Sequence, residues 1–264
     1  MYPKISVVVP SFNQGRYIEQ TLCSVIYQNY PNLELIVIDG GSADDSVEII
    51  QDYRRRIAYW VSEPDGGQTQ GLIKGFHHAT GDILCWLNAD DMHEPHTLEV
   101  AAKFFTANPR ARFVYGNATW IDREGQVLRY RREMEYYRWL WLYAYNYIPQ
   151  PASFWRRDLY EEVGGLDSQY TLTMDADLFA RIARVARLCH LDIPLARFRY
   201  YPEQRNRAYR TRSDEEQYDI LCRELNREVG GVEKIVMRCL ARSVRFSYLT
   251  LCMRTASVGN MKRA

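Results

Sequence analysis

A short apolar segment followed directly by three oxygen-bearing side chains constrains the fold of this chain more than any other feature. Residues 83–87 are mostly apolar and too few for a helix, so they predict a buried strand. Asn88, Asp90 and Asp91 follow at its carboxyl end, which is where open α/β sheets bind their ligands. Adjacent carboxylates resist desolvation, which favours a nearby cation such as Mg²⁺ or Mn²⁺. The alternative is an Asp-rich turn that caps the next helix.

The first 110 residues alternate strand-like and helix-like segments. The apolar runs 5–9, 33–38, 57–61 and 83–87 are separated by segments with apolar residues at helical spacing. This alternation predicts an α/β fold with a mostly parallel sheet and helices on both faces. Polar residues follow each run and are expected to share one edge of the sheet, where nucleotides bind.

Composition narrows the class of protein. The chain has 264 residues, 47% of them hydrophobic and 25% charged, as in ordinary globular proteins. The formal net charge of +1 gives no reason to expect a nucleic-acid partner. The six cysteines lack paired spacing and are expected to be small core residues in a reducing cytoplasm. The first strand begins almost at Met1 and no apolar run is long enough to span a bilayer, so we expect a cytoplasmic protein.

Two absent motifs limit the nucleotide chemistry. The sequence has neither GxGxxG after its first strand nor GxxxxGK[ST], so a dinucleotide cofactor and a P-loop are unsupported. A nucleotide held by strand-end carboxylates and a metal remains. Asp39 suits a ribose or base contact, or else it is a turn residue before Gly40. Asp90 suits a metal ion bound to a diphosphate.

Four ordered motifs resemble the family 2 inverting glycosyltransferases of the GT-A fold. They are VVVPSFNQG at 7–15, LIVIDGGS at 35–42, SEPDGG at 62–67 and WLNADD at 86–91. The resemblance continues through 148–151, 164–167 and 174–177, and so covers roughly residues 4–202. It implies a nucleotide-diphospho-sugar donor, a divalent metal (Mn²⁺ or Mg²⁺) and single-displacement transfer with inversion.

The motifs and the strand ends together give a predicted donor site with Asp90 as the metal ligand. Its nucleotide-sugar-binding residues are expected to be Pro10, Ser11, Phe12, Asn13, Asp39, Gly40, Asp65, Gln68, Asn88, Ala89 and Asp90. Asp175 falls where the family carries its catalytic carboxylate, so the resemblance implies that it is the general base. Alternatively it caps a helix, and Asp177 lies beside it.

The chain departs from the family pattern at two positions. Asn88 replaces the first aspartate of the family's DxD motif, and Tyr201 stands near the place where many members have a histidine. Any role of that imidazole is therefore in doubt here. Three arginines could bind the donor phosphates or simply be solvated: Arg199, Arg205 and Arg207.

The second half is predicted to be the acceptor side. Residues 113–116, 118–121 and 127–130 read as strands. The aromatic-rich segment 136–147 suits sugar stacking or a membrane interface, although a strand or a packed helix explains it equally. A helix is expected over 157–163 and another after Asp175.

The predicted domain organisation has two parts. Residues 1–212 form the GT-A domain, with 1–110 as the nucleotide-sugar half and 111–212 as the acceptor half, and residues 213–264 form a helical basic tail. From residue 230 onward the tail has seven Lys or Arg and one Glu, a local net charge of +6. Its apolar residues recur at helical spacing, which predicts an amphipathic helix that binds anionic membranes or packs on the domain.

The resulting functional prediction is a metal-dependent inverting glycosyltransferase. It would move one sugar to a cell-surface glycan or lipid-linked precursor, in the cytoplasm or at the inner face of the membrane. One alternative is a sugar nucleotidyltransferase, but the residues after the first strand do not supply its Gly-rich basic loop. The other is an inactive nucleotide-sugar-binding partner, for which Asn88 and Tyr201 are the hints.

Overall fold

The computed structural model of the chain describes residues 2–204 and 208–261, with side chains described as far as residue 250. Within these residues nine strands form one sheet. They are β1 (Ile5–Ser11), β2 (Leu33–Asp39), β3 (Tyr59–Ser62), β4 (Ile83–Trp86), β5 (Met92–His93), β6 (Phe113–Ile121), β7 (Val127–Arg131), β8 (Ser153–Arg156) and β9 (Leu188–Arg199). The strand order is β3-β2-β1-β4-β8-β6-β9-β5, and β7 pairs with β6.

Helices connect and cover these strands. They are α1 (Ile18–Ile26), α2 (Ser46–Asp52), α3 (Gln68–His78), α4 (Thr97–Ala107), α5 (Arg138–Ala144), α6 (Arg157–Glu162), α7 (Met174–Val185), α8 (Arg210–Leu225) and α9 (Gly231–Met261). Short 3₁₀ turns occur at Arg54–Arg56 and Gln150–Ala152.

The first half of the sheet is parallel, as predicted. β1 lies between β2 and β4, and β3 extends the sheet beyond β2. One apolar core contains α1, α2 and α4, and a second core on the other face contains α3, α5 and α7. The fold class predicted from the alternating pattern, with helices on both faces, is therefore confirmed.

The second half of the sheet is mixed, and much of it was not predicted. β8 lies between β4 and β6 and is antiparallel to both, whereas β9 runs parallel to β6. The two strands predicted at 113–121 are a single strand with a register shift around Asn117. Gly116 permits the close approach of β9 at this point, because a Cβ there would lie 2.5 Å from the side chain of Leu195.

The strands that were missed have weak sequence signals. β5 and β8 are too short to show a period, and β9 contains Pro194 and charged residues. The aromatic segment was left open between strand and helix, and α5 shows that its middle is a short helix. Trp141 is buried and Trp139 is partly exposed, so the packed-helix alternative applies to this part.

The region predicted as a tail is packed on the domain. The predicted boundary at residue 212 falls inside α8, whose buried Ile220 and Leu221 belong to the core shared with α7. α9 docks through Ala241, which is fully buried, and through Arg245, which forms a salt bridge with the buried Glu133.

The outward side of α9 carries the apolar residues whose helical spacing predicted an amphipathic helix. Ile235, Val236, Leu240 and Val244 are exposed, so their periodicity does not describe the docking face. The five cysteines with described side chains are all free. Cys85 is a buried core residue as expected, whereas Cys239 on α9 is exposed, which corrects the core assignment for that residue.

Candidate active site

The carboxyl ends of the parallel strands open into a cavity of about 580 Å³, within the usual size range of ligand sites. Ten of the twelve residues predicted for the donor site and the general base line it. They are Pro10, Ser11, Phe12, Gly40, Asp65, Gln68, Asn88, Ala89, Asp90 and Asp175. Residues distant in sequence meet there because β1, β2 and β4 end at one edge and α7 begins opposite them.

The other two predicted donor residues, Asp39 and Asn13, are not among the residues that line the cavity. Asp39 is fully buried and accepts hydrogen bonds from the backbone N–H of Ser42 (2.8 Å), from that of Gly41 (3.2 Å) and from the hydroxyl of Ser62 (2.7 Å). Asn13 accepts a backbone N–H of the same loop. Asp39 therefore has the turn geometry that the sequence left as an alternative. A contact with a ribose or base would require some of these bonds to open.

The Asp90 carboxylate is largely removed from water and has no salt-bridge partner among the described residues, which favours binding of a cation. Burial raises its pKa, and the hydrogen bond from Tyr201 and the positive charge of Arg199 oppose that shift. Among residues 2–204 and 208–250 no side chain forms a salt bridge with Asp90. Its Oδ2 accepts a 2.8 Å hydrogen bond from the Tyr201 hydroxyl. Tyr201, near the family's histidine position, therefore contacts the predicted metal ligand directly.

The two other members of the strand-end motif are held by hydrogen bonds, Asn88 at the cavity and Asp91 in the interior. Asn88 accepts a 2.8 Å hydrogen bond from Nε2 of Gln68 and lines the cavity. Asp91 is buried and accepts a 2.8 Å bond from the backbone N–H of Arg199. Burial and the adjacent charge of Asp90 raise the pKa of Asp91 well above its usual range. Asp91 is thus a scaffold residue in this structure.

A divalent cation fits the oxygen donors of this site when the phosphates of a bound substrate are counted together with Asp90. The described residues contain no group of three or more acidic, cysteine or histidine side chains arranged to hold a metal. However, Mg²⁺ is commonly held by one or two carboxylates together with substrate phosphates and water. The desolvated Asp90 carboxylate, in the lining of a cavity large enough for a nucleotide, matches that mode.

Arg199 is a buried scaffold residue and does not line the cavity, which corrects the phosphate-binding and solvated alternatives considered for it. Its guanidinium donates to the backbone carbonyls of Asp90 (2.8 Å), Asp122 (2.9 Å) and Arg123 (2.7 Å), and to Oε1 of Gln20 (2.8 Å). It therefore joins the strand-end motif to the β6–β7 hairpin. The other two candidate arginines, at 205 and 207, lie outside the described residues.

Asp175 lies in the first turn of α7 and faces the cavity. The helix begins after Thr173, so Asp175 is inside the helix and is not its cap. Burial raises the pKa of Asp175 to about 6, a range that suits a group exchanging protons near neutral pH. Nδ2 of Asn146 donates a 2.8 Å hydrogen bond to Oδ2 of Asp175.

Asp177, the neighbouring acid, has a structural role. It is fully buried and forms salt bridges with Arg181 and with Arg223, the latter at 2.5 Å. The bond to Arg223 fastens α7 to α8, whereas the bond to Arg181 lies within α7. Asp177 is therefore not available to the cavity as an alternative base.

Sequence reasoning missed the residue that shapes the loop before α7. Glu216 in α8 accepts hydrogen bonds from the backbone N–H groups of Thr171 (3.1 Å), Leu172 (3.0 Å) and Thr173 (3.0 Å), and from both threonine hydroxyls. Leu172 lines the cavity two residues before Met174. Glu216 thereby fixes the conformation of the loop that leads into Asp175. It lies in a segment that had been assigned to the tail, and no local sequence pattern indicates this role.

Comparison with known proteins identifies the class to which this fold and cavity belong. Residues 6–164 match the model of glycosyl transferase family 2, and the chain belongs to that family. An uncharacterised glycosyltransferase of Mycobacterium tuberculosis is 32% identical over 199 residues, covering 72% of this chain and 75% of the relative. An uncharacterised glycosyltransferase of Rickettsia conorii is 25% identical over 227 residues, which are 80% of this chain and 36% of that protein.

Two solved structures share the GT-A fold. TarS residues 1–349 of S. aureus in complex with UDP-GlcNAc has a TM-score of 0.68 at 20% identity, covering 93% of this chain and 73% of that one. The mannosyltransferase PcManGT of Pyrobaculum calidifontis, in complex with GDP-Man and Mn²⁺, has a TM-score of 0.66 at 18% identity, covering 98% and 81%. The protein is therefore a GT-A-fold glycosyltransferase, and the predicted family is confirmed.

Proposed function

We propose that this glycosyltransferase moves one sugar, with inversion, from a nucleotide-diphospho-sugar to a cell-surface glycan or lipid-linked precursor, in a metal-dependent reaction. The observation that carries the proposal is that Asp90 and Asp175 line one cavity. In this proposal Asp90 would bind a cation and Asp175 would take a proton. The metal and the donor in the P. calidifontis complex support it as an analogy.

The donor half of the cavity would hold the nucleotide diphosphate. Asp90 would hold Mn²⁺ or Mg²⁺, which would supply the positive charge that offsets the diphosphate. Phe12 is 59% exposed at the cavity, so its ring is free to stack on a planar base. The bond from Gln68 to Asn88 orients the Asn88 amide beside this region.

Asp175 would act as the general base on the acceptor. Its carboxylate takes the proton of an acceptor hydroxyl as that oxygen attacks the anomeric carbon. The bond between the anomeric carbon and the diphosphate oxygen breaks, and the electron pair leaves with the nucleoside diphosphate. Attack on the face opposite the leaving group inverts the anomeric configuration.

Product analysis with a panel of nucleotide sugars tests the proposal. We expect release of a nucleoside diphosphate that depends on donor, acceptor and Mn²⁺. Release of pyrophosphate from a sugar phosphate and a nucleoside triphosphate would instead identify the nucleotidyltransferase alternative. A rise in melting temperature with a donor, but no turnover with any acceptor, would favour the inactive binding partner.

We also propose peripheral attachment to anionic membranes at the cytoplasmic face. Of the helices in the described part of the chain, none combines the length and apolar composition needed to cross a bilayer. The outer face of α9 exposes an apolar stripe made of Val232, Ile235, Val236, Leu240 and Phe246.

The surroundings of this stripe favour a lipid surface over a purely apolar partner. Arg242 is exposed and Arg238 half-buried beside the stripe. Tyr137 is 48% exposed, and its ring lies 6.5 Å from that of Tyr248 in α9. An apolar stripe flanked by arginines and an amphipathic ring is the usual composition of an interfacial helix.

A further inference from the structure

We infer that Asn146 is the positioning residue of the general base, holding the Asp175 carboxylate in one orientation toward the acceptor. The inference rests on the proposed function of Asp175. It starts from a chain of three side chains between α5 and α7, Trp141, Asn146 and Asp175.

The hydrogen bonds around Asn146 allow only one orientation of its amide. Its Oδ1 accepts from the indole N–H of Trp141 (3.0 Å) and from the backbone N–H of Ile148 (3.2 Å). Both groups can only donate, so the oxygen must face them. Nδ2 then necessarily points at Asp175, to whose Oδ2 it donates at 2.8 Å.

The first link of this chain is rigid. Trp141 is 4% exposed, lies in the core shared with α7 and has its ring 6.0 Å from that of Tyr136. A fixed indole fixes the Asn146 amide, and the amide occupies Oδ2 of Asp175. In this inference Oδ1 is the oxygen that takes the substrate proton. The backbone N–H groups of Ala176 and Asp175, in the first turn of α7, also donate to the carboxylate.

The charges around Asp175 do not provide this orientation. Glu216 in α8 repels the Asp175 carboxylate and is bound to the loop before α7. Asp177 on the same helix is occupied by Arg181 and Arg223.

The ionisable groups across the cavity do not provide it either. Asp65, Asp90, Tyr201 and Glu203 line its other walls, and no salt bridge joins a described cation to Asp175. Among the described side chains, Asn146 is thus the neutral donor to the Asp175 carboxylate, and it acts together with the backbone N–H groups of Ala176 and Asp175 in favouring the ionised form.

Asn146→Ala is the direct test, with Asn108→Ala at an exposed helix end as matched control. We expect kcat to fall by about tenfold to a hundredfold, because a misplaced base loses alignment with the reacting atoms. The affinity for the nucleoside diphosphate with Mn²⁺ should be unchanged. The acid limb of the kcat profile should move up by about one pH unit, because the ionised base loses a charge-assisted hydrogen bond.

A double variant separates positioning from a general structural effect. If Asn146 acts through Asp175, adding Asn146→Ala to Asp175→Asn should lower kcat no further, since residues acting as a unit are not additive. Fully additive losses, or a wild-type kcat and pH profile in Asn146→Ala, would overturn the inference. If Asn146→Ala does not fold, Trp141→Phe, which removes the indole donor but keeps an aromatic ring in the core, should show a smaller loss of kcat and the same direction of pH shift. Unchanged values there would also overturn it.

The failure of this inference can be told from failure of the proposed function. Wild-type activity in Asp175→Asn would remove Asp175 as the base, whatever Asn146 does. An inactive Asp175→Asn variant together with a fully active Asn146→Ala variant would rule out only the positioning role of Asn146.

Discussion

The hydroxyl of Tyr201 donates a 2.8 Å hydrogen bond to Oδ2 of Asp90, and both residues line the cavity. The Tyr201 ring also packs against Tyr17, with centroids 5.6 Å apart, and against the guanidinium of Arg123. The ring is therefore held by two neighbours, and it is a positioned hydrogen-bond donor for the carboxylate. Near the position of the family's histidine, this chain has a neutral donor to its predicted metal ligand.

Tyr201→Phe should weaken Mn²⁺-dependent binding of a nucleoside diphosphate by about tenfold. This is the usual loss of affinity when a metal ligand loses the hydrogen-bond partner that orients it. Calorimetry with and without Mn²⁺ measures it. Tyr27→Phe, an exposed tyrosine on α1's C-terminal side, is the matched control and should have no effect. Equal affinity for Mn²⁺ and diphosphate in Tyr201→Phe and the wild type would reduce Tyr201 to a packing role.

Asp90→Ala should abolish turnover and remove the Mn²⁺ dependence of donor binding, because the cation and the diphosphate each offset the other's charge. Chelation of the metal should have the same effect on the wild type. Donor affinity and Mn²⁺ dependence that survive in Asp90→Ala would show that Asp90 is only a turn residue. Asn88→Asp should stay active, because a carboxylate still accepts the hydrogen bond from Gln68.

Asp175→Asn should lower kcat by about 10² to 10⁴, the usual contribution of a general base, with donor binding intact. An acid with a raised folded pKa destabilises the folded state as pH rises above its unfolded value. At neutral pH the variant should therefore melt no lower than the wild type. A loss of activity explained by unfolding would move the base elsewhere.

The pH dependence of the wild type follows from the pKa of Asp175, which is about 6. Below that value the carboxyl holds a proton and cannot accept another, so kcat should fall toward acid with a midpoint near pH 6. Above it the base is ionised and kcat should level off. Stopped assays across the pH range measure this limb, and its absence in the residual activity of Asp175→Asn is the control. A wild-type kcat that stays flat well below pH 6 would contradict it.

Substitution of the outer face of α9 should reduce membrane association. We expect the full-length protein to float with vesicles of phosphatidylcholine and phosphatidylglycerol, and Ile235→Glu with Phe246→Glu to remain at the bottom. Both side chains are exposed, at 65% and 73%, so folding should be preserved. Deleting α9 is a poorer test, because it would leave Glu133 buried without Arg245.

The control for this experiment lies on another exposed apolar patch. Val127→Glu with Leu128→Glu on β7, at 63% and 51% exposure, should float like the wild type. Each arginine near the lipid surface contributes about 1 kcal/mol, so Arg238→Gln with Arg242→Gln should also weaken flotation. Equal flotation of the wild type and the α9 variant would contradict the membrane proposal.

The parallel half of the sheet and its cavity edge were predictable because their signals are local. Each strand in this half is a continuous apolar run closed by polar or glycine residues, and the ends of parallel strands must meet at one edge. Asn88, Asp90 and Gln68 were therefore placed together without knowledge of the distances. The family motifs added Asp175, which strand periodicity alone does not bring to that edge.

The sequence did not predict relationships that depend on long-range packing. The apolar periodicity of α9 identified its outward face and not its docking face. The docking face is hard to recognise in the sequence, because it includes a small alanine, Ala241, and an arginine, Arg245, that is paired with Glu133. Arg199 was read as solvated or phosphate-binding, yet the backbone carbonyls around it make burial favourable.

By itself, the sequence determined the class of protein, the parallel α/β half and the set of side chains at its carboxyl edge. Only the tertiary structure decided which of those side chains are free to act. Asp90 and Asp175 face the cavity, whereas Asp39, Asp91 and Asp177 are engaged by buried donors. The physical reason is that an aspartate's availability depends on which N–H groups and cations fold against it, and these include residues far away in the chain, such as Arg199 for Asp91 and Arg223 for Asp177.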